Sequence, residues 1–257
     1  MDDLTHLPSA PAPAGTSLTA LRQHQLPAAA VTFAPRPASR QRPDLRRHAP
    51  EDHRPCKAAV GTMRRTATAL HCSYVPLTYA QWTAVRAGAA DAHPGEPWPA
   101  IASLHLLVVT ADRQLLLTRR STTTSFFPGV WSASIEEGLD VPGDRTLAHT
   151  ADRAVAEELA CPPPDRAELL AVAREHDPAT GAPWGVVFLA IAALPVAGAQ
   201  LLAARRHADD AHEHTDAVCA PLPTAGVALS PPDGGRWHPT APTRLRLLAA
   251  TLPDPPR

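Results

Sequence analysis

Polar and apolar positions change rhythm several times along this chain, and each change predicts an element. LHLLVVT (104–110) is a β-branched, mostly apolar run, ADRQ (111–114) a polar turn, and LLLTRRS (115–121) a second apolar run. Together they predict a hairpin. SASIEEG (132–138) reads as a short strand, and TLAHTADRAVAEELA (146–160) has the period of a helix, stopped by Pro162, Pro163 and Pro164. AELLAVAREH (167–176) and WGVVFLAIAAL (184–194) predict two further strands around the turn DPATGAP (177–183). A polar, His-rich segment (205–216), the short run VCAPLP (218–223) and a closing helix over 240–252 follow. Earlier, TYAQWTAVRAG (78–88) predicts a short helix with Thr78 as its N-cap. Strands, helix, strands, helix is the order of an α+β domain.

Residues 1–62 break this picture. They hold nine prolines, eight Lys/Arg and five Asp/Glu, a net charge of +3, with little apolar periodicity. Such a stretch buries too little to offset the entropy of ordering it. The expected organisation is therefore a disordered Pro/Ala/Arg-rich tail over 1–68 and a folded domain over 69–257. Met63, the only methionine after Met1, stands at the join. Residues 1–62 are accordingly expected to be dispensable for folding, as an over-extended gene start would be.

Composition narrows the class. The formal net charge of −1 over 257 residues argues against a nucleic-acid protein working through bulk positive potential. No run of 18 apolar residues exists, which argues against a membrane span. The start of the chain has no basic region followed by an apolar stretch, so no signal peptide is expected. Cys56, Cys72, Cys161 and Cys219 are widely spaced and form no CxxC. The expectation is a reduced, cytoplasmic protein. One lysine against 23 arginines, with 30 prolines, is the signature of a GC-rich coding sequence, so single prolines and arginines carry less structural meaning than usual.

The helix over 146–160 carries the candidate chemistry. At about 100° per residue, Leu147, Ala151, Val155 and Leu159 share one apolar arc. Glu158 falls inside that arc, and Glu157 lies off it beside Arg153, one turn earlier. A carboxylate withdrawn from water must be paired, protonated or bound to a cation. A hard divalent cation such as Mg²⁺ takes oxygen ligands of this kind. The competing reading is an ordinary exposed Arg153–Glu157 pair at i, i+4.

RAVAEELA (153–160) resembles the second half of the Nudix box, G-x5-E-x7-R-E-U-x-E-E-x-G-U, where U is a bulky aliphatic residue. LVVTADRQLLLTRRS (107–121) resembles the first hairpin of Nudix hydrolases, PGVWSASIEEG (128–138) the segment leading into the box, GVVFLAIAAL (185–194) a core strand, and RWHPTAPTRLRLL (236–248) the terminal helix of some members. The resemblance covers roughly 70–252. It implies an α/β/α sandwich with a mixed β-sheet, the metal site lying at the loop–helix box. Arg153, Val155, Glu157 and Glu158 match. Ala154 replaces the first glutamate of R-E-U, Ala160 replaces the terminal glycine, and the opening glycine falls at Ser132 or Ala133. The upstream glutamate falls at Leu139, or at Asp144 if Gly143–Asp144 fills that place.

The resemblance implies hydrolysis of a nucleoside-diphosphate-linked substrate with Mg²⁺ or Mn²⁺. Glu157 and Glu158 would be metal ligands and Arg153 would orient one of them, with Glu136 or Glu137 as a further carboxylate. In the His-rich segment, where some members place an acidic ligand or base, Glu213 is the candidate; the alternative is a solvated loop. No cysteine stands at zinc-ligand spacing from those histidines. Phe126, Phe127 and Trp131 are candidates to stack a base, or else anchors of the loop and core. Two functions remain open: a metal-dependent pyrophosphohydrolase, or a catalytically weak Nudix-fold module that senses a nucleotide or binds a partner. Ala154 and the missing glycines favour the second; Arg153, Glu157 and Glu158 favour the first.

Overall fold

The computed structural model describes residues 18–35, 57–78, 80–81, 100–124, 127–176, 183–224 and 229–252. Eleven strands form one mixed sheet. They are β1 (Leu18–Pro27), β2 (Val31–Pro35), β3 (Lys57–Arg65), β4 (Leu70–Leu77), β5 (Ala100–Val109), β6 (Gln114–Arg120), β7 (Trp131–Ala133), β8 (Ile135–Gly138), β9 (Arg166–His176), β10 (Pro183–Ala193) and β11 (His214–Pro221). Among the described residues the α-helices with both ends given are α1 (Leu147–Leu159), α2 (Gly198–Ala204) and α3 (Ala241–Thr251). The main path runs β1-β9-β10-β5-β3-β4-β2, and β6, β7, β8 and β11 branch from β5 and β6. β10 lies parallel to β5, from Gly185 opposite Ile101 to Ala193 opposite Val109, and antiparallel to β9.

The period-2 alternation of the strands divides the sheet into two apolar faces. On β5, Leu104, Leu106 and Val108 join the main core with Leu147, Ala151 and Val155 of α1. Leu107, between them in sequence, points to a second core with Leu115, Leu117, Ala241, Leu245 and Leu248. Helices therefore cover both faces, α1 and α2 on one and α3 on the other, which is the expected α/β/α arrangement. The 104–121 hairpin, the 146–160 helix and the closing helix stand where the periodicity placed them. The expected 132–138 strand is two short strands that pair with different neighbours, β7 with β6 and β8 with β5. Only the start of the expected 78–88 helix is described. Its Thr78 and Gln81 exchange two hydrogen bonds, Thr78 N–H to Gln81 Oε1 at 2.8 Å and Gln81 N–H to Thr78 Oγ1 at 3.2 Å. The rest of it, and the turn 177–182, lie outside the described residues. α2 has no counterpart among the predicted elements. No described helix is long and apolar enough to cross a membrane.

Within the span expected as a tail, Leu18–Pro27, Val31–Pro35 and Lys57–Arg65 are strands of the sheet. Leu26, Ala28, Val31, Phe33 and Met63 are buried in the main core. Phe33 meets Phe188 of β10 edge-on, with ring centroids 5.4 Å apart. The Phe33 N–H donates to Arg145 O at 2.9 Å, and Thr32 bridges Thr146, so β2 also grips the loop that enters α1. β1 and β2 stand at opposite ends of the strand path but are joined by Ala28–Ala30 alone, so that path must curl round. These strands lack a strong local pattern because their partners are remote: β1 pairs with β9, some 150 residues away. Residues 1–17 and 36–56 lie outside the described residues.

α1 begins at Thr146, whose hydroxyl accepts from His149 N–H at 3.2 Å, and ends at Ala160 in the left-handed conformation, with φ 50°. That is the place of the terminal box glycine, and alanine there carries a Cβ clash that glycine lacks.

Two outcomes follow for unfolding experiments. Phe33→Ala should destabilise the protein by about 3–5 kcal/mol, and a chain starting at Met63 should lose more than a few degrees of thermal midpoint; unchanged midpoints would restore the dispensable tail. Ala160→Gly should stabilise it by about 1 kcal/mol in denaturant titration, because the αL strain is relieved.

Candidate active site

The site is built around Arg153, on the edge of α1 that faces the end of β8. Its Nη1 donates to Glu157 Oε2 at 2.9 Å and lies 3.4 Å from Glu137 Oε1. Its Nη2 donates to Gly138 O and to Asp144 Oδ2, both at 2.8 Å. Asp144 is itself buried and accepts the Asp140 N–H at 2.8 Å, which closes the 140–144 turn against the helix. Lys57 Nζ stands 4.0 Å from Glu137. One guanidinium therefore connects β8, the following loop and the second half of α1.

Glu158 has the opposite environment. It is 2% exposed, and neither carboxylate oxygen has a hydrogen-bond partner among the described residues. His214 Nδ1 lies 3.6 Å from its Oε2 and is likewise buried without a hydrogen bond among the described residues. Burial, with the charges of Glu137 and Glu213 added, raises the Glu158 pKa well above the usual carboxylate range. Burial, reinforced by Arg205 and Arg120, pushes His214 down to about 3. At 3.6 Å the two form an ion pair only with the imidazole protonated, and burial disfavours the charged form of each. Glu137 is raised by burial, which Arg153 and Lys57 oppose.

The structure brings Arg153, Glu157, Glu158 and Glu137 together, as the sequence places them. The His-rich segment adjoins them: the Asp210 N–H donates to Glu157 O at 3.0 Å, and the Ser121 N–H donates to Glu213 O at 2.7 Å. Asp210, His212 and Glu213 bring one ligand atom each to within 4.8 Å of one another.

Glu136 belongs to a different set. Its Oε1 accepts from Arg244 Nη2 and from Ser132 Oγ, both at 2.6 Å, and its Oε2 from Arg120 Nη1 at 3.4 Å. His238 Nε2 lies 3.7 Å away. Although burial opposes it, the surrounding cationic groups hold Glu136 well below the usual range. Trp131, 1% exposed, donates its Nε1–H to Asp233 at 2.8 Å and packs in the second core, so it offers no face to a base. Phe127 is half-buried, edge-on to His238 with centroids 4.3 Å apart. Phe126 lies outside the described residues.

Sequence reasoning did not weigh Gly138 for the opening glycine of the box. Gly138-x5-Asp144 has the spacing of G-x5-E, and both residues bond Arg153, but one extra residue separates Asp144 from Arg153 relative to the box. It also missed Arg120, His238 and Arg244, which no local motif marks. Ala154 is fully buried in the main core.

The family model described as NUDIX domain matches residues 101–218, and these residues are a Nudix domain. No curated protein matches the chain. Among solved structures, the NUDIX domain of Shewanella oneidensis NrtR, crystallised with ADP-ribose, is 20% identical; the match covers 53% of this chain and 82% of that one, with a TM-score of 0.37. A MutT protein from Methanosarcina mazei Go1 is 15% identical, with 51% and 81% covered and a TM-score of 0.30. DR0079 from Deinococcus radiodurans is 15% identical, with 51% and 72% covered and a TM-score of 0.34.

The burial of Glu158 has a measurable consequence for the metal-free protein. Its folded pKa is raised, so between the unfolded value near 4.5 and the folded value the native state binds the extra proton and stability falls as pH rises. Glu158→Gln should therefore raise the thermal midpoint at pH 7 in the presence of chelator and leave it nearly unchanged at pH 4. Equal effects at the two pH values would show that the carboxylate is not held protonated.

Proposed function

We propose that this protein is a divalent-metal-dependent Nudix hydrolase that cleaves the pyrophosphate link of a nucleoside-diphosphate-linked substrate. The observation that carries the reading is Glu158: a carboxylate sealed from water, with both oxygens lacking hydrogen bonds, on the box helix of a Nudix domain. Buried polar groups are ordinarily bonded, and an orphaned carboxylate among other carboxylates has the donor chemistry of a hard-cation site. Glu157 and Glu158 would hold Mg²⁺ or Mn²⁺, with Glu137 and Glu213 completing the acidic wall. When bound, such a cation neutralises charge on the phosphoanhydride and makes water a better nucleophile.

The chain's own residues supply position. Arg153 fixes the Glu157 carboxylate through a 2.9 Å charge-assisted bond and keeps Glu137 and Asp144 from repelling it. The apolar arc of α1 locks the helix on the sheet, so that Glu158 cannot swing to solvent. Phe127, half-buried and edge-on to His238, would be the aromatic that meets a substrate ring.

Ala154 favours a second reading, a Nudix-fold module that binds a nucleotide with little turnover, since the position of a box glutamate is given over to the core.

A panel of nucleoside-diphosphate-linked compounds, ADP-ribose among them, incubated with and without Mg²⁺ separates the two. Metal-dependent cleavage that falls about a hundredfold in Glu158→Gln, the order expected for one lost charge-stabilising group, is the expected result. Saturable binding with no turnover would replace the hydrolase by the module.

A further inference from the structure

Two buried side chains, one from α1 and one from the start of β11, face each other without bonding. Glu158 Oε2 and His214 Nδ1 are 3.6 Å apart, each side chain is 3% exposed, and neither atom has a hydrogen-bond partner among the described residues. That distance is too long for a hydrogen bond, whose usual length is about 2.8 Å. Both groups are therefore desolvated and unsatisfied, a combination that native interiors keep rare. One cation between them would satisfy both at once. Two ligand atoms held about 2.1 Å from a single first-row metal ion lie about 3 to 3.5 Å from each other. The observed separation needs only a small contraction to reach that range. The imidazole is also anchored from behind. The His214 carbonyl accepts from Nη2 of the buried Arg205 at 3.1 Å, and β11 pairs with β6 from this residue onward. The Asp210 N–H donates to Glu157 O at 3.0 Å, which ties the segment before β11 to the end of α1.

We propose that His214 Nδ1 is a metal ligand alongside Glu158, so that the site holds a first-row transition cation such as Mn²⁺ or Co²⁺ in preference to Mg²⁺. Ala154 supplies the reason. It stands one turn before Glu158 on α1 and is fully buried, so no carboxylate reaches a cation from that position. The imidazole of His214 brings a donor to Glu158 from a different element of the fold. Exchanging an oxygen ligand for a nitrogen changes the ion preferred. Mg²⁺ is hard and keeps to carboxylates and water, whereas imidazole suits first-row transition ions, whose affinity for such sites rises from Mn²⁺ to Co²⁺. Glu157, next in the chain and 37% exposed, lies on the water side of the pair.

The inference rests on the hydrolase reading for the presence of a metal at this helix, but its test reads coordination rather than turnover. The full chain is stripped with chelator, dialysed and loaded with Mn²⁺, and electron spin-echo modulation then reports any nitrogen bonded to the ion. Wild type should show nitrogen modulation, His214→Gln should lose it, and His212→Gln should keep it. In Mn²⁺ titrations with Mg²⁺ as competitor, wild type should favour Mn²⁺ about a hundredfold or more, and His214→Gln should lose about tenfold of that margin. An unchanged margin in His214→Gln overturns the proposal, as does a wild-type spectrum without nitrogen or a nitrogen signal that persists in His214→Gln. Loss of the signal in His212→Gln also overturns it, and places the ion on the exposed His212 with Asp210 and Glu213. If His214→Gln does not fold by circular dichroism, Glu158→Gln decides instead. A nitrogen signal retained there at the same Mn²⁺ concentration overturns the proposal, because one ion shared by the two side chains depends on both. Oxygen-only coordination with metal-dependent cleavage would remove the imidazole ligand and keep the hydrolase; nitrogen coordination with no cleavage of any diphosphate would do the reverse.

Discussion

A guanidinium holds its donors in one rigid plane, and Arg153 directs them at three separate parts of the chain: Gly138 and Glu137 at the end of β8, Asp144 in the loop, and Glu157 on its own helix. None of these pieces could hold its geometry alone. The 140–144 turn is a short irregular segment, and Glu137 and Glu157 carry like charges that repel. With the cation between them, two carboxylates can face the same cleft without separating the helix from the sheet. The position of Glu158, one residue beyond Glu157, follows from that attachment together with the apolar arc of Leu147, Ala151, Val155 and Leu159.

Charge is distributed unevenly as a result. Around α1, Glu137, Asp144 and Glu157 gather on Arg153, with Lys57 beside Glu137, whereas Glu136 is bonded by Arg244 and Arg120. Adjacent residues of one strand, Glu136 and Glu137, serve the two sides, because successive strand residues point to opposite faces. The period of a β-strand thus sorts two chemically identical side chains into opposite roles.

What the sequence made legible is what is local. The turn between β5 and β6, the period of α1, the i, i+4 contact of Arg153 with Glu157 and the withdrawal of Glu158 from water all follow from spacing over a few residues. What stayed hidden depends on contacts across the chain. Arg244 meets Glu136 over a separation of 108 residues, and nothing in TRLRLL distinguishes it from the exposed Arg246 two places on. Asp144 was one of two places left open for the upstream box glutamate, because an aspartate stands there and one extra residue precedes Arg153. Ala160 looked like a lost motif position, yet its backbone takes the left-handed turn a glycine would take. The departure there changed the residue and kept the geometry.

The first strands show the same logic at the scale of the fold. Val31 and Phe33 are ordinary in a segment rich in proline and arginine, and only their destination makes them structural. Phe33 lies on Phe188 of β10 with one face of the sheet behind it, while its backbone bonds Arg145. Asp144, next in the chain to Arg145, is bonded from the other direction by Arg153. The loop before α1 is therefore held from both ends, by a main-chain bond to β2 and by a guanidinium from the helix. A loop restrained by only one of these could pivot about it, and Asp144 would then leave Arg153 with an excess of undirected charge beside Glu157. Strands that contribute no side chain to the acidic cleft thus fix its geometry through a single turn of backbone.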